Sequence, residues 1–125
     1  MARNFTTTIR ESSMELTARD RIKVKDISSS QSLDELVTPD KSFEFTPVAT
    51  VVLDVHNENS KSDKDYVKYI FVADDGKRYN TGSETLYNNY LDILEEMGAA
   101  PFAIECYKKP SKNYKDKYFL TCALV

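Results

Sequence analysis

Aromatic side chains stand beside lysine or arginine at three places in this 125-residue chain. They lie in residues 66–71, in residues 77–79 and around the lysine-rich segment 107–117. A ring can stack on the face of any unpaired base, and a cationic group can neutralise a phosphate. Neither contact reads base sequence, so the combination predicts non-specific binding of a single-stranded nucleic acid. The candidate contact residues are Tyr66, Lys68, Tyr69, Phe71, Lys77, Arg78, Tyr79, Tyr107, Lys109, Lys112, Tyr114 and Lys117.

The run 66–74 leaves one question open, because both of its faces are half-apolar. Alternation along a strand places Tyr66 and Lys68 on one face and Tyr69 and Phe71 on the other. Lys68 favours the first face for a ligand, whereas Tyr69 and Phe71 offer larger stacking surfaces. Candidates from both faces are therefore kept, and some of them are expected to belong to the core.

The elements that would position these residues are five strand-like runs, with one amphipathic helix after the third. The runs are Pro47–His56, Tyr66–Asp74, Lys77–Thr81, Phe102–Lys109 and Lys117–Leu124, and the helix is Ser83–Met97. Asp75-Gly76 predicts a tight hairpin, and Gly98 predicts a helix C-cap. The N-cap of the helix is expected to be either Thr81, in a capping box with Glu84, or Ser83. This order predicts a mainly β fold, a five-stranded, partly open barrel of the OB-fold type with the helix between strands three and four.

The N-terminal part predicts an extension of this barrel with an extra strand. Residues 1–18 show little periodicity and are expected to form a flexible arm or an added edge strand. Arg21–Ile27 alternates basic and apolar residues, which predicts a half-buried strand. Residues 19–125 are expected to form one domain with an apolar core of its own.

The charge of the chain is unevenly distributed. The net charge is −3, but residues 83–97 carry four acidic and no basic groups, whereas residues 98–125 carry five basic and two acidic groups. A field polarised in this way can attract phosphate to one side of the molecule despite the negative total. The alternative interpretation is that these charges only keep two surfaces hydrated.

Residues that could support catalysis or metal binding are few. The chain has one histidine, His56, and its two cysteines, Cys106 and Cys122, lack the C-x-x-C spacing. Both cysteines fall in apolar runs, which predicts small buried side chains. If these two runs pair, the cysteines can face one another, so an oxidised form is kept as the alternative. No catalytic residue, metal or cofactor is predicted. No apolar run is long enough for a membrane span, so a cytoplasmic location is expected.

Four segments, Arg21–Ile27, Tyr66–Phe71, residues 75–84 and residues 109–114, carry a resemblance to a known family. Residues 20–125 resemble the small OB-fold single-stranded-DNA-binding proteins of bacteriophages and conjugative elements of Gram-positive bacteria. The resemblance implies binding of single-stranded DNA, or of RNA, during replication, recombination or transfer of a mobile genome. The resemblance also leads us to expect a homo-oligomer, with a dimer favoured. Replication or recombination proteins are the expected partners, and the host cytoplasm is the expected location.

A protein-interaction role is the alternative function. The acidic helix and the acidic early segment, residues 28–60 with six acidic groups and one basic group, could imitate nucleic acid. The chain would then bind or inhibit a host nucleic-acid enzyme. Net charge favours this alternative, whereas the aromatic residues of the strands and the basic hairpin disfavour it.

Overall fold

A computed structural model describes residues 5–59, 64–112 and 117–125. Over these residues the chain forms eight strands, three α-helices and a 3-10 turn at Ile27–Ser29. The strands are β1 (Phe5–Ser12), β2 (Gln31–Ser32), β3 (Phe43–Phe45), β4 (Pro47–Asn57), β5 (Asp65–Ala73), β6 (Arg78–Thr81), β7 (Ile104–Pro110) and β8 (Tyr118–Leu124). The helices are α1 (Ala18–Lys25), α2 (Leu33–Leu36) and α3 (Glu84–Met97). The predicted mainly β fold is confirmed.

The strands form two sheets. The larger sheet has the order β1-β4-β5-β6-β2, and the smaller sheet has the order β3-β7-β8. Paired strands run antiparallel, apart from the parallel pair of β2 and β6. Thr46 alone separates β3 from β4, so the chain passes from the smaller sheet into the larger sheet within one extended segment. That segment pairs first with β7 and then with β5.

The hairpin between β5 and β6 confirms the prediction made from Asp75-Gly76. Gly76 has a φ of +85°, a conformation that costs glycine little because it has no Cβ. The Ala73 N–H donates to the Lys77 carbonyl over 2.8 Å and closes the turn. The turn therefore fixes how β5 and β6 align.

Helix α3 begins and ends where the sequence predicts. The Ser83 hydroxyl accepts a hydrogen bond from the Leu86 N–H (3.1 Å), and Gly98 ends the helix with a φ of +84°. The helix buries Leu86 and Tyr90, whereas Met97 at its end is exposed. Among the described residues, no helix has the length and apolar character needed to cross a membrane.

The strand predicted at Arg21–Ile27 is wrong, because this segment belongs largely to helix α1. Thr17 and Asp20 form a capping box in which each side chain accepts a hydrogen bond from the other residue's N–H (3.1 Å each). Such a box satisfies two N–H groups at the start of a helix. The arginines and lysines that follow are good helix formers. These local preferences outweigh the alternating pattern, and Val24 is buried while Ile22 is 71% exposed.

The first residues that the structure describes form an edge strand, which is one of the two predicted alternatives. β1 pairs with β4 from Phe5 opposite Asn57 to Ser12 opposite Val51, with a bulge between Ile9 and Glu11. The larger sheet thereby gains a strand outside the predicted five.

Apolar clusters cover both faces of the larger sheet. The first cluster lies between this sheet, α3 and the smaller sheet, and it includes Phe71, Tyr90 and Ile104. The second lies on the opposite face, where Leu53 and Ile70 are among the residues packed with Val24 of α1. A sheet with both faces buried leaves its edges, hairpins and covering elements to meet a ligand.

Candidate nucleic-acid interface

Two of the predicted contact residues lie in the core. Phe71 is fully buried and Tyr79 is 4% exposed. The Tyr79 ring packs against Phe45, with 4.7 Å between ring centroids, and Phe71 packs edge-on against Phe45 and Tyr90. Neither ring has a face to offer a base, so the prediction that these two residues contact nucleic acid is corrected.

Tyr69 is half-buried at the margin of the same cluster. Its ring stacks on Tyr87 with 4.3 Å between centroids and 17° between ring planes, so one face of the Tyr69 ring is occupied. Burial raises the pKa of the Tyr69 hydroxyl above its ordinary value. The ring is therefore a lesser candidate than a ring with an open face.

The opposite face of β5 and β6 holds Tyr66, Lys68 and Arg78, and the N-terminal segment lies over it. Tyr66 packs with the apolar cluster beneath α1, and the Arg78 Nη2 donates to the Ser29 hydroxyl over 2.9 Å. Lys68 is half-buried, and Lys77 is exposed in the neighbouring turn. Tyr66 and Arg78 thus form part of a covered surface rather than an open groove, and Lys68 is partly buried on the same face.

The hairpin of β7 and β8 brings the remaining candidates together. Tyr107 and Lys109 share one face of β7, and the Lys109 Nζ lies 5.7 Å from the centre of the Tyr107 ring. Phe119 of β8 lies directly opposite Lys109 in the strand register and is 38% exposed. Lys112 and Lys117 are exposed at the end of this hairpin. We call these five residues the hairpin face.

Phe119 was not among the residues predicted to contact nucleic acid. It lies directly opposite Lys109 in the β7–β8 register, which puts it on the same face as Tyr107 and Lys109. Thr121, opposite Tyr107 on this face, is buried, and its hydroxyl accepts a hydrogen bond from the Asn89 amide of α3. Strand parity could have identified it, but only with the β7–β8 register in hand. Tyr114, which was predicted, lies outside the described residues.

The charge on this side of the smaller sheet changes from one end to the other. Lys109, Lys112 and Lys117 lie toward the hairpin end, whereas Glu105 and Glu44 are paired opposite each other further along. The Glu105 carboxylate accepts a hydrogen bond from the Ser42 hydroxyl over 3.3 Å. A polyanion would therefore be drawn to the hairpin end and repelled from the other.

No match to this chain is found among protein-family models, curated proteins or solved structures. Its function is therefore inferred from its own side chains.

The two cysteines have no free thiolate to offer. Cys106 and Cys122 are free thiols directly opposite each other on β7 and β8, and both are buried as predicted. Burial raises the pKa of Cys122 to about 12 and also raises that of Cys106. Both side chains stay protonated near neutral pH and serve as apolar groups in the core.

A polar cluster centred on His56 lies where β4 ends and β5 begins. The His56 Nδ1 is 2.7 Å from an Asp65 carboxylate oxygen, and Nε2 is 2.5 Å from a Glu58 carboxylate oxygen. The imidazolium form can donate from both nitrogens, so these contacts favour protonation. They raise the pKa of His56 above 6.5, the Asp65 hydrogen bond being the largest cause and the Glu58 bond the next.

The His56 cluster predicts a stability that depends on pH. Because the folded-state pKa of His56 is raised, its stabilisation is fully present below the unfolded pKa and is lost as pH rises through the folded pKa. We expect the protein to melt above the His56→Gln variant in mildly acidic buffer, with this difference vanishing at alkaline pH. Thermal unfolding across a pH series measures it, and a difference that grows with pH would contradict the assignment.

Proposed function

We propose that this protein binds single-stranded DNA without sequence specificity, through the hairpin face. The observation that carries the proposal is the placement of two rings, Tyr107 and Phe119, beside Lys109 on one side of a hairpin, with two exposed lysines at its end. Unpaired bases can stack on the rings while the phosphates meet ammonium groups. A duplex hides the faces of its bases, so it would gain only the phosphate contacts.

The order of the elements supports an OB-type arrangement. Strands β4, β5 and β6 precede α3, and β7 and β8 follow it. The extended segment of β3 and β4 pairs with strands of both sheets, which a partly open barrel requires of its long first strand. In OB-folds the loop between the last two strands contacts oligonucleotides, and Lys112 and Lys117 of the hairpin face lie in the connection between β7 and β8. The resemblance adds the role that we propose, in replication, recombination or transfer of a phage or other mobile genome.

A titration of labelled oligonucleotides tests the proposal directly. Fluorescence anisotropy would be measured for a single strand of mixed sequence, for a permuted strand and for the matching duplex, over a series of salt concentrations. We expect similar affinities for the two single strands, weaker binding of the duplex, and affinity that falls as salt rises. An RNA strand of the same sequence would show whether the sugar matters. Absence of single-strand binding at low salt would overturn the proposal.

The lysines of the hairpin face should account for much of the salt dependence. Each phosphate contact on a single strand contributes about 0.7 to the slope of log affinity against log salt. Changing Lys109, Lys112 and Lys117 together to glutamine should therefore reduce the slope by about 2. Lys108→Gln is the matched control, because the Lys108 Nζ donates to the Asp34 carbonyl on the other side of the strand (3.0 Å). Equal slopes for the triple variant and the control would remove these lysines from the interface.

The exposed surface of α3 favours a second candidate function. Asp92, Glu95 and Glu96 are exposed there, close in sequence to the exposed apolar side chains of Leu91 and Met97. Carboxylates beside apolar groups suit a basic protein surface, such as the nucleic-acid-binding face of a host enzyme. An oligonucleotide titration without binding would favour this interaction or inhibitor role over the first proposal.

A further inference from the structure

Strand β1 is the outermost strand of the larger sheet. It pairs with β4 along one edge, and the strand order places no other described strand along its second edge. β1 is eight residues long, Phe5–Ser12, and the features that can protect an exposed edge, the charged Arg10 and Glu11 and a bulge, all lie in its C-terminal half. The bulge between Ile9 and Glu11 interrupts its regular part, so Phe5–Ile9 is the stretch available for pairing.

We propose that a second copy of this chain pairs with this edge, antiparallel and with a two-fold axis at Thr7. The stretch Phe5-Thr6-Thr7-Thr8-Ile9 has the same character in both directions, with apolar ends and threonine between them. Thr7 would face Thr7 of the partner subunit, and Phe5 would face Ile9 of the partner subunit. Threonine pairs and aromatic–β-branched pairs across strands are favourable, and an isologous interface requires such self-complementarity.

The surroundings of β1 provide room and apolar surface for this second strand. A groove of about 580 Å³ lies between β1 and α1 and is lined by Phe5, Thr7, Ile22 and Lys25, among other residues. Ile22 is 71% exposed and Phe5 is 46% exposed, although both are apolar. A two-fold axis perpendicular to the sheet puts both α1 helices on the same side of the joined sheets. Partner residues would then cover Phe5 and Ile22.

The charge of α1 gives this dimer a salt dependence of its own. The helix carries four basic residues and one acidic residue, so two such helices on one side of the seam repel each other. Salt screens this repulsion, and the dimer should therefore become tighter as salt rises. DNA binding through the hairpin face should respond in the opposite direction, so the two proposals can fail independently.

Disulfide cross-linking at Thr7 tests the register. Residues directly opposite in an antiparallel pair have Cα atoms roughly 4.5–5.5 Å apart, within the range that a disulfide spans. We expect Thr7→Cys to give a covalent dimer when its thiols are oxidised with diamide. Thr8→Cys is the matched control, because Thr8 faces Thr6 of the partner subunit and two Thr8 positions lie roughly 8 Å apart. Mixing Thr6→Cys with Thr8→Cys should restore cross-linking.

Light scattering of the unmodified chain supplies the second measurement. We expect a mass near twice 14.3 kDa at high protein concentration, and dissociation on dilution. The Thr6→Lys/Thr8→Lys variant places like charges opposite each other across the seam and should raise the dimer dissociation constant roughly tenfold or more. Both positions are exposed, so its melting temperature at low concentration should not change. A monomer at every concentration, or cross-linking as efficient at Thr8 as at Thr7, would overturn the proposal.

Discussion

Alanine at both Tyr107 and Phe119 is expected to weaken binding of a single-stranded oligonucleotide by about a hundredfold or more. Stacking of a base on an aromatic side chain contributes about 1–3 kcal/mol, and about 1.4 kcal/mol corresponds to a tenfold change in affinity. Phe119 is 38% exposed and Tyr107 is half-buried, so removing both rings should leave the protein folded. Anisotropy titrations at one fixed low salt concentration measure the loss.

Tyr118→Ala is the matched control for this loss. Tyr118 neighbours Phe119 in β8 and is more exposed, at 51%, but alternation places its side chain on the other face of the strand. Its removal should leave affinity unchanged. Tyr107→Phe should also bind normally, because stacking uses the ring and not the hydroxyl. A double variant that binds as tightly as the unmodified protein would exclude stacking on these rings.

The elements that could be predicted from the sequence are those fixed by short-range signals. Asp75-Gly76 determines its turn through the backbone freedom of glycine. Ser83 and Gly98 bound α3 through a side-chain cap and a left-handed C-cap. Each signal acts within a few residues of the turn or helix end that it specifies, so these features do not depend on the rest of the fold.

The sequence could not show whether either face of β5 is open to a ligand, because the larger sheet is covered on both sides. One face meets α3 and the smaller sheet, and the other meets α1 and its flanking residues. Alternation distinguishes a buried face from a hydrated face, and here neither face is fully hydrated. The elements that cover the Lys68 face include α1, and the alternating pattern of Arg21–Ile27 predicts a strand where this helix lies.

The hairpin face was predicted only in part, for a related reason. Tyr107 and Lys109 can be assigned to the outer face of β7 from the sequence, because they alternate with the apolar residues Ile104 and Cys106, which are buried. Phe119 joins them through the register that sets it opposite Lys109. Register depends on the length and geometry of the connecting loop, which composition does not specify.

Substitutions of the core residue Phe71 distinguish an effect on the stability of the fold from an effect on nucleic-acid binding. Phe71 is fully buried and meets Phe45 at 5.9 Å and Tyr90 at 5.2 Å between ring centroids, both edge-on. Phe71→Ala should lower the free energy of unfolding by about 3–5 kcal/mol, a large share of the total stability of a small domain, which is about 5–15 kcal/mol. Because this variant can fail to fold, Phe71→Leu, which should lower stability by a smaller amount, serves for the binding measurement.

Denaturant unfolding and oligonucleotide titration of the same two single variants complete the test. Phe71→Leu should shift the unfolding midpoint and leave affinity unchanged, because no base can reach this ring in the folded protein. Phe119→Ala should do the reverse, since its exposed ring contributes little to the core but supplies a stacking surface. If Phe71→Leu lost affinity at unchanged stability, a base would have to reach the core ring, and the contact surface would belong on β5 rather than on the hairpin face.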